Sequence, residues 1–262
     1  MRELAEGLLV SFRQAPLVDA YDVYQHLMEF WADTFQDDAY LIADAGWVTA
    51  VKPRLIIDPK DEPDFAVGRQ SFKSDLVPAG LLIARHFAAE QGVVESLEAG
   101  IAKIEQRLAD MAEEHGGEGG LLEDVVGDNG KITKQAIAAR LKALAEDDAD
   151  ELSQLLVYKS LLSDLATSNT RLKAAQAQLD ERLAALYGAL GEDEIKSVVV
   201  DDKWLAHVEA SVQQELHRVS RTLASRTTQL ASRYAEPLQD LADRADQAAR
   251  TVMSHLERMS AG

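Results

Sequence analysis

The sequence contains no cysteine in 262 residues. That absence excludes disulfides, thiolate nucleophiles and cysteine-ligated zinc or iron–sulfur centres, and it accords with a reducing compartment such as the cytoplasm. Nor does any stretch reach the roughly 18 apolar residues that span a bilayer. The opening MRELAEGLLVSFRQAP sets Glu3 and Glu6 beside a short apolar run, so it reads as an amphipathic helix stopped near Pro16 and not as a secretory signal. Positive charge is scarce: 27 Lys and Arg against 45 Asp and Glu leave a net charge of −18. Binding to a DNA backbone is driven by Lys and Arg displacing counterions. The chain is therefore not expected to hold DNA on its own, although a basic partner in an assembly can carry that load.

What remains is enough for a folded chain, because 47% hydrophobic residues supply a sizeable core. Of fifteen aromatic residues, seven fall between Asp19 and Trp47. Tyr21, Tyr24, Met28, Trp31 and Phe35 follow at steps of three and four, which predicts one helical stripe buried as a core seam. After it, WVTAVKPRLIID offers two short β-branched runs broken by Pro53. Pro53, Pro59, Pro63 and Pro78 crowd into Lys52–Pro78, so a loop-rich stretch with a small β ribbon is expected there.

From about Leu81, Val94, Leu97, Ile101, Ile104, Leu108 and Met111 alternate threes and fours, the spacing of a coiled-coil seam. HGGEGG at 115–120 ends that helix. It is not a phosphate loop, since no Lys-Ser or Lys-Thr pair follows. A DNG turn at Asp128–Gly130 precedes Thr133, a predicted N-cap for a short helix bearing Ile137, Leu141 and Leu144. A second long helix then places Tyr158, Leu165, Leu172, Leu179 and Leu186 at sevens, with Leu155, Leu162, Asn169, Gln176 and Leu183 in the companion row. Two such helices predict an antiparallel hairpin. The alternative leaves part of the seam, around the polar Asn169 and Gln176, open to another subunit's helix.

Past Gly191, EDEIKSVVVDDKWL contains a helix start, a valine run and an Asp201–Asp202 pair placed to cap the next helix. Trp204, Val208, Val212, Leu216, Val219, Leu223 and Leu230 mark its face. Pro237 permits a break before a final amphipathic helix carrying Leu238, Leu241, Ala245, Ala248, Val252, Leu256 and Met259. The expected fold is mainly α: a long antiparallel coiled-coil-like hairpin at 81–190, an aromatic-helix and short-strand module at 1–80 with the small β ribbon, and a helical region at 191–262.

Chemistry is hard to place on this pattern. His86 and Glu90 have one-turn spacing without the second histidine of a helical zinc motif, and His26, His207, His217 and His255 have no nearby ligand cluster. Asp37–Asp38 and Asp201–Asp202 read as caps or solvated turns before acid–base or magnesium sites. No G-x-S-x-G elbow occurs. No catalytic or metal site is expected.

The block DAYDVYQHLMEFWADTFQDDAYLIADAGW closely resembles the start of the C-terminal region of the modification, or methyltransferase, subunit of type I restriction-modification systems. EIKSVVVDDKWL at 194–205, LASRYAEPL at 230–238 and VMSHL at 252–256 are similar to that family in the same order, so the resemblance covers nearly the whole chain. Ser260 departs from it, standing where the family's glycine is expected. The family's full subunit methylates the exocyclic amine of adenine with S-adenosylmethionine, through a glycine-rich motif and an N-P-P-aromatic motif in an upstream domain. Neither occurs in this sequence, whose two asparagines, Asn129 and Asn169, precede Gly and Thr. The resemblance therefore implies a noncatalytic fragment with no cofactor of its own. It also implies partners: a DNA-specificity subunit with long helices, the restriction subunit in the full complex, and DNA only through the assembly. Contact is expected along the seam, at Leu165, Asn169, Leu172, Gln176 and Leu179, and on the final helix, at Val252, Leu256 and Met259. The alternative from another class is a stand-alone coiled-coil protein that forms homo-oligomers, and the third is an enzyme in its own right.

Overall fold

The structure, a computed structural model, describes every residue except 1, 16, 59, 128–129, 131, 145–148, 236 and 261–262. Pro16, Pro59 and the first two residues of the DNG turn lie outside the described residues. The fold is mainly α, with a small three-stranded antiparallel sheet. Contacts group the chain into two compact units, Asp38–Lys203 and Met1–Asp37 with Trp204–Gly262. The sections read along the sequence divide instead at 80/81 and 190/191.

In chain order the helices are α1 (Arg2–Phe12), α2 (Ala20–Phe30), α3 (Gln36–Ala45), α4 (Trp47–Ala50), α5 (Ala79–His86) and α6 (Ala88–His115). They continue with α7 (Lys134–Ala143), α8 (Ala149–Ala189), α9 (Glu192–Ser197), α10 (Ala206–Arg233) and α11 (Leu238–Ser260). The strands are β1 (Arg54–Leu55), β2 (Phe65–Val67) and β3 (Gln70–Lys73), in the order β1-β3-β2.

The Asp38–Lys203 unit is built on the α6–α8 hairpin. Leu108 and Met111 meet Leu155 and Tyr158 at one end. At the other end the Arg182 guanidinium sits 4.9 Å from the Phe87 ring centroid and pairs with Glu90. Two such crossings of opposite sequence sense make the helices antiparallel. Val94, Ile101 and Leu108, spaced at sevens, are buried along α6, and each fully buried aliphatic side chain stabilises the fold by about 1.5–3 kcal/mol. Thr133 caps α7 as expected, its hydroxyl accepting from the Ala136 amide at 3.2 Å. Ile137 drops into the cluster that closes this end, together with Leu122 and Val125. Arg140 of α7 then clamps Glu151 of α8 with two guanidinium hydrogen bonds, 2.6 and 2.9 Å. Those bonds hold the Glu151 carboxyl below the usual carboxylate range.

The sheet differs from the expected ribbon. WVTA, read as strand, forms the helical turn α4, which begins after Gly46 at φ +74. The strands come instead from Arg54–Leu55 and from a hairpin whose two-residue turn has Gly68 at φ +63, as a primed turn requires at its first position. Aromatic rings fix this sheet to the hairpin: Tyr187 stacks on Phe65 at 5.5 Å, and Phe65 on Phe72 at 5.5 Å. The buried Asp180 of α8 accepts from the Ala66 amide at 3.2 Å, which satisfies a donor on the exposed edge of β2. The Tyr187 hydroxyl donates to the Val77 carbonyl at 2.6 Å, and burial pushes its pKa upward.

Asp201 and Asp202 are not caps, because Val198–Leu205 is a π-helical stretch that runs directly into α10. Asp201 accepts from the Ser197 hydroxyl, and Asp202 accepts from Arg85 at 2.6 Å. Asp38 is no solvated turn either: it is buried and paired with Lys203.

In the second unit α2 lies between α1 and α10. The aromatic stripe is corrected here. Tyr21 is 72% exposed, and the buried residues of α2 are Val23, Leu27 and Phe30, on an adjacent line. A π-helical stretch, Trp31–Phe35, widens the helix after Phe30. It brings residues five apart onto one side, so Phe30 and Phe35 stack with centroids 6.2 Å apart. Their partners lie beside α10: His207 stacks on Phe30 at 4.3 Å, and Trp204 meets Phe35 edge-on at 4.3 Å. Glu215 is buried alongside, accepting from Arg218 Nε at 2.8 Å, and this bond holds its carboxyl below the ordinary range. Arg218 also reaches Asp22 of α2 at 3.6 Å.

Candidate interaction surfaces

The two groups of residues predicted to meet a partner stand in different surroundings. Along α8, Leu179 is fully buried, Leu165 packs against the cluster at the Leu155 end, and Leu172 is half-buried. Asn169 is half-buried and donates to the Leu165 carbonyl of its own helix at 3.0 Å. Gln176 is exposed and donates to Asp180 at 3.0 Å. The seam is packed at Leu165 and Leu179 and is only partly covered between them, where Asn169 and Leu172 are half-buried and Gln176 is exposed.

The final helix is the reverse case. None of the described residues of α11 is buried, and Val252, Leu256 and Met259 are 57%, 55% and 80% exposed. The condition begins earlier. From Ser220 to Ser260 every described residue except Ser254 is exposed. Fourteen of the twenty-two exposed large apolar side chains belong to the unit holding α1, α2, α10 and α11, although that unit is the smaller part of the chain. A helix with a continuous apolar face gains its stability mainly by burying that face. On α11 the face is broad: Leu238, Leu241, Ala242, Ala245, Ala248, Ala249, Val252, Leu256 and Met259 supply nine positions between Leu238 and Met259, three in each of the first two heptads. That width suits packing between two neighbours in a bundle better than a single two-helix seam. Its alanines permit close approach.

Charge changes along the same stretch. Residues 206–262 contain seven arginines, no lysine and seven carboxylates, so the whole deficit of −18 arises in the first 205 residues. Between Leu216 and Ala235 there are four arginines and no acidic residue.

Among the described residues no group of three or more His, Asp or Glu is arranged to hold a metal ion, and no helix is long and apolar enough to cross a membrane. His86, whose one-turn partner was Glu90, lies instead 3.1 Å from Glu194. The arrangement defines a mainly α-helical protein whose uncovered apolar face is its most conspicuous surface. No family model matches the chain, and no curated protein or solved structure matches it significantly.

Proposed function

We propose that this chain is the noncatalytic C-terminal assembly region of a type I restriction-modification adenine methyltransferase subunit, docking to the DNA-specificity subunit through helices. The observation that carries the reading is the broad apolar face of α11, which buries none of its described residues. A surface of that width and length calls for helical partners. The four passages resembling the modification subunit, taken with the expectation of long helices in its specificity partner, supply a partner of the right kind. In this reading α6–α8 is the internal scaffold, and α11, with the outer part of α10, is the docking element. Methyl transfer and S-adenosylmethionine binding belong to the upstream domain of the full subunit.

The test is a pull-down of the purified chain with its cognate specificity subunit, using the full-length modification subunit as positive control. Capture of the chain supports the reading; capture of the full-length subunit alone defeats it. Light scattering addresses the same face from the other side. A stable homodimer that Leu256→Asp dissociates, with no capture by the specificity subunit, makes the chain a self-associating coiled-coil protein.

A further inference from the structure

The outer half of α10 carries a seam of unusual composition. Leu216, Leu223 and Leu230 recur at sevens, and the companion row three residues later reads Val219, Arg226, Arg233. Leu223 and Leu230 are 54% and 38% exposed, and both arginines are exposed. No carboxylate among the described residues pairs with Arg226, and Arg233 rests over the Tyr234 ring at 5.7 Å. Covering the leucines means covering part of the arginine stems and desolvating their heads. A guanidinium that loses water needs a carboxylate in its place.

Two occupants fail on charge or chemistry. A second copy of α10 in parallel register would set Arg226 against Arg226 and Arg233 against Arg233, which is repulsive. In antiparallel register it would set arginine against leucine. The chain's own α11 presents only Leu, Ala, Val and Met on its apolar face, and its carboxylates Asp240, Asp243, Asp246 and Glu257 lie off that line, so it sets none of them directly against the arginines when that face covers the leucines.

We infer that α10 from Leu216 to Arg233 is a charge-selective docking seam for a helix of a different protein, one that sets apolar residues against Leu223 and Leu230 and carboxylates against Arg226 and Arg233. The inference deepens the assembly reading by giving the chemistry its partner helix must have, and it rests on that reading only for the partner's identity. Arginine suits the role because its planar fork meets a carboxylate through two hydrogen bonds. Selectivity comes from the two arginines, since leucine rows alone accept many helices. It also explains a basic stretch in an acidic chain: the arginines repel an incorrect basic partner as well as attract the correct one.

The probes are two synthetic helical peptides with one leucine stripe, differing only in carrying glutamate or lysine at the positions facing Arg226 and Arg233. Binding to the full chain is followed by fluorescence anisotropy. The glutamate peptide is expected to bind about tenfold or more tightly than the lysine peptide. The preference should shrink as salt is raised toward about 1 M, where the Debye length falls to roughly 3 Å. It should reverse in Arg226→Glu/Arg233→Glu, whose helicity by circular dichroism checks that folding is intact. Equal affinities, preference for lysine, or no binding of either peptide overturns the inference. The pull-down is independent of this outcome. Failed capture with a retained glutamate preference removes the proposed partner and leaves the seam, whereas capture without preference does the opposite.

Discussion

The Lys203 ammonium lies 2.7 Å from a carboxylate oxygen of Asp38 and donates a second hydrogen bond, 2.7 Å long, to the Leu76 carbonyl. The two side chains are 13% and 3% exposed. A buried pair of this kind contributes little over an apolar replacement, but removing one member leaves the other charged and desolvated. Lys203→Met is expected to lower stability by about 3–5 kcal/mol, measured by urea unfolding at neutral pH. Lys203→Met/Asp38→Leu should recover a large part of that loss. A single substitution no more costly than the double one would show that the pair is not coupled.

Tyr187 offers a test at the opposite end of the pH scale. Burial, aided by the Asp64 carboxylate, pushes its pKa upward, and burial does the same for Tyr158. Above about pH 10 the unfolded chain releases the phenol protons while the folded chain retains them. The folded state then binds more protons, so stability falls as pH rises. Tyr187→Phe should lower stability near neutrality by about 1–3 kcal/mol by leaving the Val77 carbonyl without its donor. It should also flatten the alkaline decline in melting temperature, with Tyr158 accounting for what slope is left.

The coiled-coil spacing was legible in the sequence because a packed helix pair repeats its contacts every seven residues, and Val94, Ile101 and Leu108 are buried accordingly. Thr133 and the glycines after His115 were legible for local reasons, as a cap and a stop. The aromatic block was not, because Val23, Leu27 and Phe30 form a second apolar line one residue round the helix from Tyr24, Met28 and Trp31, and spacing alone does not choose between the two; the π-helical stretch at Trp31–Phe35 then shifts the face further. Asp38 with Lys203, and Asp180 with the Ala66 amide, join positions 165 and 114 residues apart, and no short-range pattern encodes such pairs. The candidate docking face was half legible: spacing marks the apolar line on α11, but whether anything covers that line depends on tertiary packing. The leucine row of α10 is readable in the same way, but apolar spacing does not mark Arg226 and Arg233, which share the companion row with Val219.

Glu151 predicts behaviour in acid. Its carboxyl is held below the ordinary range by hydrogen bonds from Arg140, so its stabilising effect is complete above the unfolded value of about 4.3. It is lost as pH falls through the lower folded value, because the unfolded chain takes up the proton first. Glu151→Gln should remove about 1–2 kcal/mol at neutral pH and give a shallower acid limb. Amide exchange in Lys134–Ala143 should be the local readout, since Arg140 is the contact that joins α7 to α8 at this point. Unchanged exchange in α7 would mean that burial of Ile137 alone holds it.

Leu256→Asp separates stability from assembly. Leu256 is 55% exposed, and no described residue of α11 is buried, so introducing a carboxylate should change the unfolding free energy of the isolated chain by no more than about 0.5 kcal/mol. In a covered face the same carboxylate would be desolvated with no cation placed for it, at a cost large enough to weaken binding by several orders of magnitude. Thr251→Asp, on the same helix but off the apolar line, provides the matched change in charge. On the proposed assembly reading, the expected result is capture of the Thr251 variant by a cognate specificity subunit and loss of the Leu256 variant, with equal helicity for both. A destabilised Leu256→Asp chain would instead place that face in contact with the chain itself, and equal capture of the two variants would remove α11 from the interface.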